Sequence, residues 1–425
     1  MDESSKFDIT KVDINNTFNA HFTSSNLTVS NVSLISADYS KFLNVGSFGL
    51  RGRSSGTTVK LSGSTFDDSF FFLRVLDDTG VIKSPSYLLW LGADYLNYGM
   101  PSNYDNTTLS ECGKLVSGAV DPTFYTGTLV QLHMIPYQNL DTNEVSTGYP
   151  IVLMGPLYIV EESGASLNMT SNDFLEPALL DSRHTTSCLP LDTILQIAIQ
   201  LEASYVEDLG SWVVACTIAE ENVILLFHFG GVPIEVPLND FLTAIIDPDT
   251  NKPIRIANGA NACYVALYPN TAIGYNVLGG PFLKNAYLVV DNEGQDIALA
   301  QAVTASSIGF RVSFESGPST FSESSSVKAI TVTNNVSTNI KISSSNGSSF
   351  DNLATAAAIL SGSIPYATVA NITGTSDLTL SLVVTADYNV TFPLELTALL
   401  YSNGLISQGR SFYDTARTAT TKKLS

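Results

Sequence analysis

Charge, basic residues and cysteine are all scarce in this chain of 425 residues. Only 14% of the residues are charged, and 20 Lys and Arg stand against 40 Asp and Glu, which gives a net charge of −20. A surface of this kind repels nucleic acid and anionic lipid, so we expect no nucleic-acid partner. It suits basic ligands or an acidic compartment, and solubility alone is the alternative interpretation.

Long apolar runs are absent as well, since no run reaches the roughly 18 residues that a membrane span requires. The amino terminus, Met1–Lys6, is polar and has no apolar core of a signal peptide. The carboxyl terminus, Ala419–Ser425, is polar too, unlike a lipid-anchor signal. We therefore expect no transmembrane segment, and neither a signal peptide nor a lipid-anchor signal within this chain.

The four cysteines include no Cys-x-x-Cys pair, and the four histidines are scattered without a recognisable spacing. A metal site therefore has no motif to support it, and we expect neither a metal nor a cofactor. Asn-x-Ser/Thr acceptors are frequent, which agrees with a secreted glycoprotein that carries one or two disulfides. The acceptors are Asn15, Asn26, Asn31, Asn106, Asn168, Asn335, Asn346, Asn371 and Asn389.

Short apolar runs are what the chain has in quantity, and 44% of its residues are hydrophobic, ample for a sizeable core. Most runs alternate between apolar and polar residues and are separated by Gly, Asn and Ser turns, which predicts a mostly-β chain. Helices are expected near Asp67–Leu76 and over the apolar positions between Ile194 and Leu201. Strands are expected at Val223–Phe229 and Tyr287–Val290, and in the run that ends at Asp181.

The composition divides the chain into three parts, over residues 1–155, 156–305 and 306–425. The last part is a Ser/Thr-rich tail, and its composition is typical of a flexible, O-glycosylated stalk. Its segments Leu378–Val384 and Thr391–Leu400, however, contain enough β-branched residues and Leu to form strands. The sequence leaves both interpretations of the tail open.

One motif in the second part matches the chemistry of peptide-bond hydrolysis by two carboxylates. Such carboxylates lie side by side and share one proton, so that one acts as base and the other as acid. Each follows an apolar strand in a tight turn of sequence Asp-Ser/Thr-Gly, where Gly lets the backbone approach. Leu179–Ser182 is the best candidate for one copy, with Asp181 as its carboxylate. An Asp that caps the end of a buried strand is the simpler alternative.

Later segments give this motif a specific context. Roughly 100 residues after Asp181 come the apolar Val277–Leu283 with Gly-Gly-Pro-Phe, then Tyr287–Asp291, then Ile297–Ala302. In this order they resemble the pepsin family of aspartic proteases, in which an apolar run with Gly packs behind the catalytic turn. The resemblance covers roughly residues 7–302. The segments that resemble the yapsin and barrierpepsin branch of the family are Gly80–Leu91, Leu115–Asp121 and Tyr125–Val130.

The resemblance implies a bilobal pepsin-like fold, with a truncated amino-terminal lobe over 1–155 and a carboxyl-terminal lobe over 156–305. It implies a peptide or protein substrate, a preference for basic residues at the cleavage site, and a secreted, cell-surface or cell-wall location. It also implies a disulfide between Cys216 and Cys263. Cys112 and Cys188 match no family disulfide: either they are buried thiols, or they pair in a way that the sequence does not show. The oligomeric state stays open.

The departures from the family pattern lie around the expected site. No counterpart of the first Asp-Thr-Gly is found, and the second reads Asp-Ser-Arg. Lys11 stands where the family has the Tyr of its active-site flap, and Arg51 replaces a Gly behind the first catalytic turn. Arg183 would place a cation beside the carboxylates, lower the carboxylate pKa and block close backbone approach. The predicted site residues are catalytic Asp181, with Ser182, Arg183, Thr185, Lys11 and Gly279 in its vicinity.

Two other features imitate catalytic motifs. Leu76–Gly80 spells Leu-Asp-Asp-Thr-Gly, but the helix predicted upstream places Asp78 in a surface turn. His184 lies near Asp181, at the position where the family usually has Thr. A structural pair of imidazole and carboxylate is the simpler interpretation of that histidine.

Three functional hypotheses follow. The first is an aspartic endopeptidase of yapsin type, impaired in this chain because one motif is missing and the other is degraded. The second is a non-catalytic relative that binds peptides or belongs to the cell wall as a glycoprotein. The third is a two-chain enzyme in which a dimer supplies two copies of Asp181. The bulk and charge of two Arg183 side chains count against the third, and we favour impaired activity.

Overall fold

A computed structural model describes the chain in segments. Side chains are described for residues 49–52, 71–92, 113–138, 145–206, 209–247, 250–256, 258–271, 273–303, 356–370, 372 and 379–380. The backbone alone is described at 12–13, 17–22, 27–33, 36–37, 60–61, 64–65, 112, 272 and 381. The predicted site residue Lys11 and the predicted strand Thr391–Leu400 lie outside these residues.

Two compact units form. Among the described residues, the first comprises those within Met1–Ala93, Ser110–Val152 and Tyr287–Leu382, and the second comprises those within Leu153–Ala286. Residues 287–302, which the sequence analysis assigned to the second part, therefore group with the first unit. The lobe boundaries at 155 and 305 stay a prediction. They were defined by the resemblance to the family, whereas the two units are defined by the packing of the chain.

The described strands that precede the first helix form three antiparallel pairs. They are β1 (Val12–Asp13), β2 (Thr17–Phe22), β3 (Leu27–Ser33), β4 (Ser36–Ala37), β5 (Lys60–Leu61) and β6 (Ser64–Thr65). β1 pairs with β4, β2 with β3, and β5 with β6.

The first unit continues with helix α1 (Phe72–Asp78), which confirms the predicted helix with a later end, and a 3-10 helix at Pro122–Phe124. The strands of this stretch are β7 (Ser86–Gly92), β8 (Cys112–Ser117), β9 (Ala119–Val120), β10 (Tyr125–His133), β11 (Tyr137–Gln138), β12 (Val145–Ser146) and β13 (Ile151–Met154).

The second unit contains helix α2 (Leu191–Gln200), helix α3 (Gly280–Leu283) and 3-10 helices at Cys216–Glu221, Leu238–Phe241 and Asn270–Ala272. Its strands are β14 (Leu157–Val160), β15 (Ser166–Asn168), β16 (Glu176–Leu180), β17 (Ser187–Leu189), β18 (Ser204–Val206), β19 (Ser211–Ala215), β20 (Ile224–Phe229), β21 (Val232–Pro237), β22 (Leu242–Ala244), β23 (Ala262–Val265), β24 (Leu267–Pro269) and β25 (Asn276–Leu278).

The remaining strands complete the first unit. They are β26 (Ala286–Asp291), β27 (Asp296–Ala302), β28 (Ala357–Ala358), β29 (Thr368–Val369) and β30 (Leu380–Ser381). The chain is thus mostly β with few helices, as its alternating apolar runs predicted. Among the described helices, none has the length and apolar character that crossing a membrane requires.

A six-stranded sheet with the order β29, β10, β27, β26, β7, β8 organises the first unit. Its core includes Leu88, Val120 and Tyr287, and the tail residues Ile359 and Ile364 are buried in the same cluster. β29 runs parallel to β10 and β30 parallel to β11, whereas β28 is antiparallel to β9. The described part of the tail is therefore built into the first unit through strands.

Buried polar groups fix the tail in the first unit. Asp291 is fully buried, and its carboxylate accepts the backbone N–H of Gly294 at 3.1 Å and that of Gly362 in the tail at 2.6 Å. The Ser84 hydroxyl donates to the carbonyl oxygen of Ile359 at 3.2 Å, and the N–H of Ile359 donates to the carbonyl of Gly118. Burial raises the pKa of Asp291 above its ordinary value, although these N–H donors oppose the shift.

The second unit confirms the local predictions. Helix α2 buries Ile194, Leu195, Ile197 and Ala198 on one face, and Asp192 in its first turn interacts favourably with the helix dipole. Cys216 and Cys263 form the disulfide that the resemblance implied.

Cys188 is a buried thiol, which matches one of the two alternatives for it, and the side chain of Cys112 lies outside the described residues. Of the predicted glycosylation acceptors, Asn168 is described with its side chain. It ends strand β15, is partly exposed, and donates to the amide oxygen of Asn172 at 2.9 Å.

Candidate active site

Strand β25 lies between β16 and β17 in a five-stranded sheet, whose order is β13, β16, β25, β17, β24. β16 runs parallel to β25 with Leu180 opposite Leu278, and Cys188 of β17 is antiparallel to Val277. The turn that links β16 to β17, residues 181–186, therefore passes around the end of β25. Asp181 opens this turn, and its backbone N–H donates to the carbonyl of Leu278 at 3.1 Å.

Gly279 lets the turn approach the end of β25 closely. A Cβ atom at this position would collide with the carbonyl oxygens of Thr186 and His184. The N–H of Gly279 donates to the hydroxyl of Ser187 at 3.0 Å, and the N–H of Gly280 donates to the carbonyl of His184 at 2.7 Å. These contacts hold the turn against the start of helix α3. Gly279 therefore lies in the vicinity of the Asp181 turn.

The carboxylate of Asp181 is held by donors from its own turn. Its Oδ1 accepts the backbone N–H of Arg183 at 2.9 Å, and its Oδ2 lies 2.8 Å from Nδ1 of His184. Because an ionised carboxylate only accepts hydrogen bonds, the imidazole is the donor in the second contact. The side chains of Asp181 and His184 keep 28% and 25% of their surface exposed, so the pair is accessible at the surface of this unit.

Opposing effects set the charge of Asp181. Burial raises the pKa of Asp181, but the hydrogen bonds from His184 and from the N–H of Arg183, with the charges of both side chains, outweigh it and lower the pKa below its ordinary value. Arg183 lowers the pKa as the sequence analysis predicted, yet His184 contributes more. The turn therefore stabilises an ionised carboxylate.

The remaining predicted site residues differ in position. Arg183 and Thr185 are exposed, and Ser182 is partly exposed between Asp181 and Arg183. His184 was interpreted from the sequence only as a structural partner and was not among the predicted site residues. One signal in the sequence could have identified His184 as a site residue. It follows Asp181 by three residues, at the position of the family's Thr, from which a side chain can reach the carboxylate.

Arg51 belongs to the first unit, where its two terminal nitrogens are hydrogen-bonded and its buried Nε has no hydrogen-bond partner among the described residues. Its guanidinium donates to the hydroxyl of Tyr149 at 2.7 Å and to that of Ser146 at 2.8 Å, and it lies 3.8 Å from the centre of the Tyr149 ring. Such planar stacking and forked donation are contacts that arginine makes better than any other side chain. The Arg51 side chain, which stands where the family has Gly, thus packs against Tyr149 and Ser146 in this unit.

Asp78 lies on a helix and not in a turn that follows a strand. It is the last residue of helix α1, is exposed, and forms an ion pair with Arg74 one turn earlier at 3.1 Å. This position agrees with the surface location that the sequence predicted. Within the described residues, no group of three or more His, Cys, Asp or Glu side chains is arranged to hold a metal ion.

Comparison with known proteins places the Asp181 turn in a family. Residues 94–302 match the family model described as eukaryotic aspartyl protease. The chain is 41% identical over 406 residues to aspartic proteinase yapsin-7 of Saccharomyces cerevisiae. The aligned region covers 95% of this chain and 62% of that protein. It is 30% identical over 248 residues to aspartic proteinase 3 of the same yeast, covering 58% and 38%.

A solved aspartic proteinase from Irpex lacteus aligns with a TM-score of 0.46 and 17% identity, over 65% of this chain and 74% of that one. The chain spans about three-fifths of the length of yapsin-7 and about two-fifths of aspartic proteinase 3. The identity to yapsin-7 extends over nearly the whole chain, and the family match includes the turn that carries Asp181. The chain belongs to the pepsin-like A1 family of aspartic proteases and is yapsin-like within it.

Proposed function

We propose that the protein binds peptides at the Asp181 turn and that this turn alone does not hydrolyse them efficiently. The observation that carries the proposal is the pairing of Asp181 with the imidazole of His184 at 2.8 Å. Hydrolysis by two carboxylates depends on a proton that the two groups share. Asp181 is paired instead with an imidazole, which donates a hydrogen bond and can carry a positive charge. Its ionised form is therefore stabilised without a proton shared with a second carboxyl group.

Asp181 supplies half of the expected chemistry in this proposal. An ionised, partly exposed carboxylate can take a proton from water, which is the role of the base, and it can also bind a peptide by accepting a hydrogen bond from an N–H group. The acid half requires a protonated group that donates to the carbonyl oxygen, and the turn itself, residues 181–186, contains no second carboxyl group. Peptide binding without efficient turnover is the function that fits this arrangement.

The ligands that suit the protein are basic peptides or protein segments. Its net charge is −20, and Asp181 presents an ionised oxygen to approaching cations or N–H donors. A secreted or cell-surface location is part of the proposal, supported by the disulfide between Cys216 and Cys263 and by the yapsin-like identity.

A cleavage and binding assay with one dibasic peptide tests the proposal. The full chain is incubated with the peptide at acid pH, with and without pepstatin, and binding is followed by fluorescence anisotropy. We expect no pepstatin-sensitive turnover, and binding that Asp181→Ala weakens about tenfold, the equivalent of one charge-assisted hydrogen bond. Asp78→Ala is the matched control, since this carboxylate is exposed on a helix, and it should leave binding unchanged. Pepstatin-sensitive turnover that Asp181→Ala abolishes would overturn the proposal.

A second candidate is hydrolysis with a second carboxylate supplied from another copy of the chain. The lowered pKa of Asp181 favours it, because the base of a two-carboxylate site must be ionised. Turnover that rises with the square of the chain concentration would support this candidate over binding alone. The exposed guanidinium of Arg183 argues against it, because two copies would bring two such cations together.

A further inference from the structure

His184 is fixed in the Asp181 turn at three points. Its backbone N–H donates to the carbonyl of Asp181 at 3.1 Å, and its own carbonyl accepts the N–H of Gly280 at 2.7 Å. Its Nδ1 lies 2.8 Å from Oδ2 of Asp181, and three-quarters of its side-chain surface is covered. The imidazole therefore has a set position relative to the carboxylate.

An imidazole at this position differs chemically from the hydroxyl of threonine. A hydroxyl donates one hydrogen bond and never carries a charge near neutral pH, whereas an imidazole donates through Nδ1 and can be protonated at Nε2. A hydrogen bond that involves a charged donor and a carboxylate is about twice as strong as one between neutral groups. Replacement of the hydroxyl by the imidazole thus strengthens the preference of the carboxyl group for its ionised form.

We propose that His184 is the positioning residue of this site: its imidazole fixes Asp181 as an ionised carboxylate, oriented to accept N–H donors of a basic peptide. Only the identity of the ligand, a basic peptide, rests on the proposed function. The hold on the carboxylate itself is a property of the unliganded chain. Each oxygen of Asp181 already accepts one hydrogen bond from the turn and retains a lone pair for a ligand.

The surroundings of Asp181 leave His184 as its main charged neighbour. The charges that act on the carboxylate are those of His184 and Arg183, both on the turn. The elements packed against the turn contribute backbone groups of Leu278 and Gly280, and the Ser187 hydroxyl accepts the N–H of Gly279. The lowered pKa of Asp181 agrees with this arrangement, since hydrogen bonds and charges within the turn outweigh its burial.

The test is the titration of Asp181 in the full chain, followed by carbon-13 NMR with labelled aspartate carboxyl groups. Asp181→Asn identifies the signal. His184→Gln keeps an N–H donor without the charge, and His184→Ala removes both. We expect Asp181 to titrate at a higher pH in His184→Gln than in the wild type, and at a still higher pH in His184→Ala. An unchanged titration in His184→Ala overturns the proposal, and so does a His184→Gln variant that matches the wild type.

A second histidine–aspartate pair provides the matched control. In the first unit, Nδ1 of His133 lies 3.2 Å from Oδ1 of Asp296. His133→Gln should alter the titration of Asp296 and leave that of Asp181 unchanged. The Asp296 signal also serves as an internal reference in the His184 variants, because Asp296 lies in the first unit and should keep its wild-type titration there.

Peptide binding separates this proposal from the proposed function. If both are correct, His184→Ala weakens binding of the dibasic peptide at acid pH about tenfold more than at neutral pH, because Asp181 becomes protonated there. If the titration shifts as expected while Asp181→Ala leaves binding unchanged, the positioning role of His184 stands and the binding function fails. If the titration does not shift, the positioning role fails whatever the binding result.

Discussion

The two units place the same pair of side chains in contact with opposite results for the aspartate. In the second unit His184 donates to Asp181 across 2.8 Å, and the pKa of Asp181 is lowered. In the first unit His133 lies 3.2 Å from Asp296, and the pKa of Asp296 is raised because burial outweighs the contacts with His133 and Gln131. An imidazole next to a carboxylate therefore does not by itself determine the charge of that carboxylate.

The backbone around each pair explains the difference. His133 and Asp296 are opposite each other on β10 and β27, where Asp296 is 14% exposed and His133 is 66% exposed. The carboxylate there is covered by the sheet while its imidazole is largely in water, which screens the interaction. Asp181 is in a tight turn that adds a backbone N–H from Arg183 and keeps His184 largely covered. The Asp181 turn thus stabilises an ionised carboxylate better than the cross-strand pair of His133 and Asp296 does.

The largest expected effect comes from the tail that completes the first unit. Ile359 is fully buried in the core of that unit, and Ile359→Ala should lower the free energy of unfolding by about 3 kcal/mol, since it leaves a cavity. Urea unfolding measures the change, and the Asp296 titration should be disturbed while that of Asp181 is kept. The neighbouring Leu360 is exposed, so Leu360→Ala serves as control with an effect within about 0.5 kcal/mol. Equal effects of the two substitutions would show that the tail is not part of this core.

The reciprocal experiment disturbs the second unit. Gly279→Ala places a Cβ against the carbonyl oxygens of Thr186 and His184, and it should lower the free energy of unfolding by about 2 kcal/mol through displacement of the turn. Asp181 should then titrate at a higher pH, because the imidazole and the backbone N–H are displaced with the turn. Gly49 has open space around it, so Gly49→Ala is the control in the same unfolding and NMR measurements. Retention of the wild-type Asp181 titration in Gly279→Ala would contradict this account of the turn.

The pH dependence of stability should have opposite signs for the two aspartates. Asp181 has a lowered pKa in the folded chain, so its stabilising contribution is present above the ordinary pKa of Asp and is lost as the pH falls through the folded value. Asp296 has a raised pKa, so it destabilises the fold progressively as the pH rises from the ordinary to the folded value. Urea unfolding across the acid range should show a steeper rise of stability with pH in Asp296→Asn and a flatter one in Asp181→Asn. The same slope in both variants would contradict the assignment.

The smallest effect is expected for an exposed carboxylate paired on a helix. Asp78 forms its ion pair with Arg74 at the surface of α1, where water screens the attraction. Asp78→Ala should change the free energy of unfolding by less than about 0.5 kcal/mol, as measured by urea unfolding. A loss as large as that of Asp181→Ala would mean that the local turn geometry is not what distinguishes these carboxylates.

Local sequence patterns were sufficient to predict the elements around Asp181. The apolar run before Asp181 predicted β16, and the spacing of Ile194, Leu195, Ile197 and Ala198 predicted α2. Both depend on short-range periodicity, which a single sequence carries in full. The disulfide between Cys216 and Cys263 required the resemblance, because spacing alone does not determine connectivity.

The strand pairing of the tail and the role of His184 were not predictable in this way, although β30 lies within Leu378–Val384, where a strand was one of the two interpretations of the tail. β28, β29 and β30 are two residues long, and their partners β9, β10 and β11 precede them by more than 200 positions. Pairings of that kind leave almost no local pattern, since register depends on the partner strand. The contribution of His184 depends on the orientation of its ring in the turn, which residue types alone do not specify.

The contribution of the tail to the first unit also determines the order in which the chain can fold during synthesis. Domains generally fold as units while the ribosome extends the chain from the amino terminus. Residues 153–286 of the second unit are complete before Ile359 and Ile364 are made, yet these two residues fill the core around Leu88 and Tyr287. The earlier strands of the first unit therefore cannot complete their hydrophobic core until Ile359 and Ile364 have been made. Part of their apolar surface stays uncovered while residues 153–286 are synthesised.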